Sequence, residues 1–124
     1  MDFPQPERTP DDKLGAALRH CSRTTLEAAR RFRRTRDAVH LPPVLLGVLE
    51  HYAGPEARPV LRQAHDGLRL TEDLGLDSLT RIEMALLLEE VLQLSLPEER
   101  LRELQTLGDM RRLAENAVRP GAAA

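Results

Sequence analysis

Asp77-Ser78-Leu79-Thr80-Arg81-Ile82-Glu83-Met84-Ala85-Leu86-Leu87-Leu88-Glu89-Glu90-Val91-Leu92 is the stretch on which the reading of this chain turns. It opens on an aspartate suited to cap a helix and continues in strong helix formers. With Leu79 as zero and a step of roughly 100° per residue, Glu83 and Glu90 fall near about 20–40°. Met84, Ala85, Leu88, Val91 and Leu92 spread over about 120–240°, and Ile82 and Leu86 lie near about 300° and 340°. The apolar surface is wider than a single core-facing stripe requires. Part of it must be covered by another element or serve as a contact surface.

Downstream, Ser95-x-x-Glu98 has capping-box spacing before a short helix carrying Leu101 and Leu104. Thr106 and Asp109 repeat the device ahead of Leu107, Met110, Leu113, Ala114, Ala117 and Val118. Pro120-Gly121 ends the fold, leaving 121–124 as a disordered tail. Upstream, Val44, Leu45, Val48, Leu49 and Tyr52 form an apolar helical face that Pro43 can open and Gly54-Pro55 closes. Between them Val60, Leu61 and Ala64 allow a short helix, and Leu68, Leu70 and Leu74 are placed to pin a long loop to the core. No convincing length of sequence alternates with period two, so the fold class is all-α: a four-helix bundle with a long first loop.

Pro42-Pro43 marks the best boundary in the chain. Residues 1–12 hold three prolines among charges and read as a loose arm. Leu14, Ala17, Leu18 and Cys21 then share a helical stripe, with Cys21 a small buried hydrophobe. A second helix is expected from Thr24, capped by its hydroxyl and by Glu27, with a thin stripe of Ala28, Phe32 and Val39 beside Ala29. Such a helix needs a partner surface to be stable. The division is therefore 1–41, an Arg-rich helical extension; 42–120, the bundle; and 121–124, the tail.

The 124 residues, 41% hydrophobic and 31% charged, suffice for one core, built mainly from aliphatic side chains because aromatics are only 2%. The net charge of -2 is unevenly placed. Arg19–Arg36 holds seven arginines and one glutamate, whereas Thr71–Glu103 holds nine acids and three arginines. That argues against a general nucleic-acid coat and gives an electrostatic partner two different surfaces. A single cysteine excludes an internal disulfide and a Cys-rich metal site. No apolar run approaches a membrane span and the first residues hold no secretory h-region, so the chain is expected in the cytoplasm, unanchored. His20, His40, His51 and His65 lack motif spacing, no Gly-rich phosphate loop exists, and no metal ligand set is expected.

Ser78 stands out by position. It lies in the first turn after the Asp77 cap, where free N–H groups and the positive helix end favour an anionic group. No base adjoins it, so nothing marks it as a nucleophile. Asp73-Leu74-Gly75-Leu76-Asp77-Ser78-Leu79 resembles the modification motif of acyl carrier proteins. The similarity runs on through Ile82-Glu83-Met84, Glu89-Glu90 and Leu96-Pro97-Glu98-Glu99 to the last helix without insertion or deletion; Pro43–Tyr52 corresponds to the family's first helix at about the expected distance upstream, so the resemblance covers 43–120.

This resemblance implies an acyl-carrier-like bundle that is not an enzyme. Its cofactor would be 4′-phosphopantetheine, joined to Ser78 by a phosphodiester and donated by coenzyme A, with Asp77 flanking the serine for the transferase. Leu79, Ile82, Glu83, Leu86 and Glu90 would form the exposed face read by partners. These would be a phosphopantetheinyl transferase and acyl-loading, ketosynthase or acyltransferase enzymes of fatty-acid-like or polyketide-like biosynthesis. Met84, Leu88 and Leu92 would face the core and any sequestered acyl chain. No nucleic acid, no membrane insertion and a monomer are expected. Thr80-Arg81 departs from the family, which often has acidic or neutral residues there, as does the extension before residue 42. A helical adaptor without the cofactor, binding through the Arg-rich extension and the acidic helix, is the competing reading; a hydrolase using Ser78 would need a base brought by the fold.

Overall fold

The first turn of the protein to be placed begins at a proline, which can start a helix because the N–H it lacks would have no intrahelical acceptor. In the computed structural model, which describes residues 10–118, this is α1 (Pro10–Ala17). Six further helices follow: α2 (Arg23–Thr35), α3 (Leu41–Ala53), α4 (Arg58–Arg62), α5 (Ser78–Leu92), α6 (Glu98–Arg102) and α7 (Leu107–Val118). Short 3-10 turns at Ala38–His40 and Pro55–Ala57 lead into α3 and α4. Among the described residues there is no strand, only an isolated antiparallel bridge between Arg69 and Thr106. The all-α expectation holds. The loose arm is corrected at 10–12, which are helical; its remainder and the tail at 121–124 lie outside the described residues.

α2 starts earlier than expected. Ser22, not Thr24, is the cap: its hydroxyl accepts the Thr25 N–H at 3.2 Å. Thr25 is buried while Thr24 and Glu27 are exposed, so the box anticipated from them does not form. Ala28, Ala29 and Phe32 go into the core as read, but Val39 does not. The chain leaves the helix at Arg36, in the left-handed region with φ 58°, and carries Val39 into the 3-10 turn, 66% exposed. Cys21 is half-buried rather than buried, its thiol 3.9 Å from the Gly47 carbonyl.

One apolar cluster unites the molecule. Leu14, Leu18 and Phe32 from the first two helices belong to it together with Val44, Leu45, Val48 and Leu49 of α3 and Met84, Leu88, Val91 and Leu92 of α5. The thin stripe of α2 thus finds the partner surface it needs, chiefly on α3. Gly47 of α3 faces Thr25 of α2, and a Cβ at position 47 would overlap the Thr25 side chain. Gly47→Ala should lower stability by about 1–3 kcal/mol, the usual cost of overpacking, read as an earlier urea midpoint at unchanged slope.

The connection from α5 to α6 holds a second correction. α6 begins at Glu98 behind Pro97, and Ser95 caps nothing. Leu94 and Leu96 are both buried, which draws the chain between them out along the core, and the Leu96 N–H is taken by Glu89 Oε2 at 2.8 Å. The box at α7 forms as anticipated: Asp109 N–H donates to Thr106 Oγ1 and Thr106 N–H to Asp109 Oδ2, each at 3.1 Å.

Candidate functional site

The loop into α5 is held at both ends and in its middle. Leu68, Leu70, Leu74 and Leu76 are buried, so every other turn of the loop is anchored to the core. Leu70 N–H donates to the Gln105 carbonyl at 2.8 Å and Leu107 N–H to the Leu68 carbonyl at 2.9 Å, tying the loop to the start of α7. Thr71 Oγ1 donates to the Leu76 carbonyl at 2.8 Å, and Leu76 N–H donates to the Leu70 carbonyl at 3.0 Å. Gly75 turns the chain at φ 72°, a conformation that costs glycine little, and leads it to Asp77.

Asp77 is the N-cap of α5, its Oδ1 accepting the Thr80 N–H at 2.8 Å. Ser78 is therefore the first helical residue, exposed at the positive end of a 15-residue helix. The donated N–H of Thr80 and then its hydroxyl hold the Asp77 carboxyl below its ordinary value, with Arg81 helping. Asp73 is lowered likewise, by the Arg69 N–H and side chain, and Asp66 by its hydrogen bonds with Arg111. Burial pushes Asp109 up, but the N–H groups of Gln105 and Thr106 and the Arg112 side chain outweigh it.

Because these carboxyls titrate below 3.8 when folded, their contribution is complete above that value and lost as pH falls through the folded values. The urea midpoint is expected to fall steadily below about pH 4, and less steeply in Asp77→Asn, when followed from about pH 5 to pH 2.

The anticipated contact face is exposed in full. Leu79 is 63% exposed, Leu86 55% and Ile82 38%, with Glu83 and Glu90 exposed beside them. The stripe from Leu79 to Glu90 is about 16 Å long at about 1.5 Å per residue. On the opposite side Met84, Leu88 and Leu92 are buried and line an apolar cavity of about 10 Å³ between α5 and α7. That is about the space of one water molecule. Arg81, the departure just after the motif, does not add a charge to the outer face. It is half-buried, and its guanidinium donates to the Leu104 carbonyl at the end of α6.

The other end of α5 holds what the sequence did not reveal. Arg33 donates from Nε to the Val91 carbonyl at 2.7 Å and from a terminal nitrogen to that of Glu90 at 2.9 Å. Arg36 does the same for Leu92 at 2.8 Å and Gln93 at 3.1 Å, while its guanidinium lies 4.9 Å from the centre of the Phe32 ring. Two cations thus close the carbonyl end of the helix that Asp77 closes at the other. The arginine run was visible as composition, but no local pattern says which carbonyls it reaches. His20 and His51, without motif spacing, stack at 5.7 Å. No group of three or more His, Cys, Asp or Glu side chains able to hold a metal occurs among the described residues.

A family model described as "phosphopantetheine attachment site" matches residues 65–114, from the pinned loop through most of α7. The match spans less than half of the 124 residues and is consistent with a carrier domain of this family. Members of this family bear a covalently attached 4′-phosphopantetheine and are carriers, not catalysts. No curated protein and no solved structure matched the chain. An exposed serine at the first position of α5, at the positive end of the helix, suits the phosphodiester of such a group. Among the described residues, no helix is long and apolar enough to cross a membrane.

Proposed function

We propose that the chain is an acyl carrier protein in which Ser78 Oγ anchors the 4′-phosphopantetheine arm. The observation that carries this reading is an exposed serine at the first position of α5, inside the segment matched by the attachment family. The arm supplies a thiol that holds acyl groups as thioesters. The protein supplies the rest: Asp77 and the pinned loop fix where the hydroxyl points, and the helix end favours the phosphate charge. Leu79, Ile82, Glu83, Leu86 and Glu90 form the face read by the transferase and by acyl-loading, ketosynthase or acyltransferase enzymes.

Residues 42–120 act as the carrier unit, with 1–41 as an accessory segment whose helix α2 packs on it. The chain works as a monomer in the cytoplasm, in fatty-acid-like or polyketide-like biosynthesis. The cavity behind α5 admits no acyl chain until the side chains of Met84 and Leu88 give way, so a bound chain should shift their signals in a methyl NMR spectrum.

The test is intact-mass analysis of the chain isolated from its own cells, and of the purified chain incubated with a phosphopantetheinyl transferase, coenzyme A and Mg²⁺. A gain of one phosphopantetheinyl group is expected in both. A quantitatively bare chain under both conditions overturns the reading.

A further inference from the structure

The exposed side of α2 is an arginine stripe: Arg23, Arg30, Arg31 and Arg34, with Glu27 the one acid among them, fall within about 100° of arc at roughly 100° per residue. Its position is fixed, because Arg33 on the same helix is bonded to the carbonyls of Glu90 and Val91. Glu90 is also the last residue of the outward face of α5. The α2 helix that carries the basic stripe therefore meets α5 at the end of its outward face, where Glu90 lies. A nucleic acid or an anionic bilayer laid on α2 would also meet the Glu90 carboxylate at the end of α5 that Arg33 holds. A folded protein can present both signs side by side.

We propose that the arginine stripe of α2 widens the docking face of α5 and receives an acidic patch on the same partner enzyme, an inference that rests on the carrier reading above. Two neighbouring surfaces of opposite sign fix the orientation of an approaching partner, and one that presents a basic patch to α2 is disfavoured.

The test places p-benzoylphenylalanine at Glu27 on α2 or at Leu86 on α5, in separate full-length chains in their own cells, and identifies what each crosslinks to on irradiation. The same polypeptide is expected from both, joined at position 27 through a segment rich in Asp and Glu. Purified, that polypeptide should bind the wild-type chain roughly tenfold tighter than R30E/R34E in low salt, with the gap narrowing in about 0.5 M salt. The milder R31Q/R34Q should weaken binding in the same direction, with an unchanged circular dichroism spectrum. Different partners from the two positions, equal affinities, or a crosslink at position 27 to nucleic acid or lipid would overturn the proposal. Intact mass on the same cells separates the two readings: a bare Ser78 removes the carrier reading and this proposal with it, and a modified Ser78 with separate partners removes this proposal alone.

Discussion

Ser78→Ala is expected to abolish phosphopantetheinylation completely, with no gain in mass however long the chain is incubated with transferase, coenzyme A and Mg²⁺. The matched segment 65–114 holds four other hydroxyl side chains, at Thr71, Thr80, Ser95 and Thr106. Thr71 donates its proton to the Leu76 carbonyl, Thr106 is engaged by the Asp109 N–H, and Thr80 is half-buried. Ser95 is exposed, but it lies beyond the other end of α5 and outside any helix start. Ser95→Ala should be modified as the wild type is, and serves as the control. The loss should come without loss of fold, because the helix is capped by Asp77, and surface changes away from caps and core usually move stability by no more than about 0.5 kcal/mol. An unchanged melt beside an unmodified chain is the combined outcome. Modification persisting in Ser78→Ala would place the anchor elsewhere.

Phe32→Ala should produce the largest loss of stability of any truncation to alanine among the described residues before residue 41. The ring is fully buried, in a cluster that includes Leu14, Leu18, Val44 and Leu92. Removing such a ring costs about 3–5 kcal/mol, counting both lost burial and the cavity left behind. For a protein of this size that is a fall of about 10–20 °C in melting temperature. The same change also takes away the surface over which the Arg36 guanidinium lies, so the Leu92 and Gln93 carbonyls should exchange their protection for solvent. Hydrogen exchange at the last turn of α5 would report this separately from the melt. If the extension were dispensable to the core, the melt would hardly move.

What could be read beforehand divides by the range of the forces involved. Asp77 as a cap, the Thr106–Asp109 box, the buried side of α5 and the leucines pinning the loop are all decided within a few residues or by one period, and the structure bears them out. Ser95-x-x-Glu98 has equally good local chemistry, yet the burial of Leu94 and Leu96 on either side of Ser95 overrode it. At Ser22 and Thr24 two hydroxyls competed for one helix start, and packing chose the register that buries Thr25 against Gly47. The reach of Arg33 and Arg36 spans more than fifty residues of sequence, and no short-range rule could assign it. The place of Ser78 at a helix start and the exposure of Leu79, Ile82 and Leu86 were legible because a cap and an over-wide apolar surface are local signals. The fate of Arg81, turned back toward Leu104, was not.

The two arginines at the far end of α5 bear on how the protein can be cut or transplanted. A segment trimmed to residues 65–114, the part with a recognisable family signature, would take the helix but leave its stopper behind. Four carbonyls would then point into water with no counter-charge, and the last turn would fray just where Glu90 belongs to the outer stripe. A graft of this segment into another protein should therefore include α2, or supply a basic residue of its own at that spot.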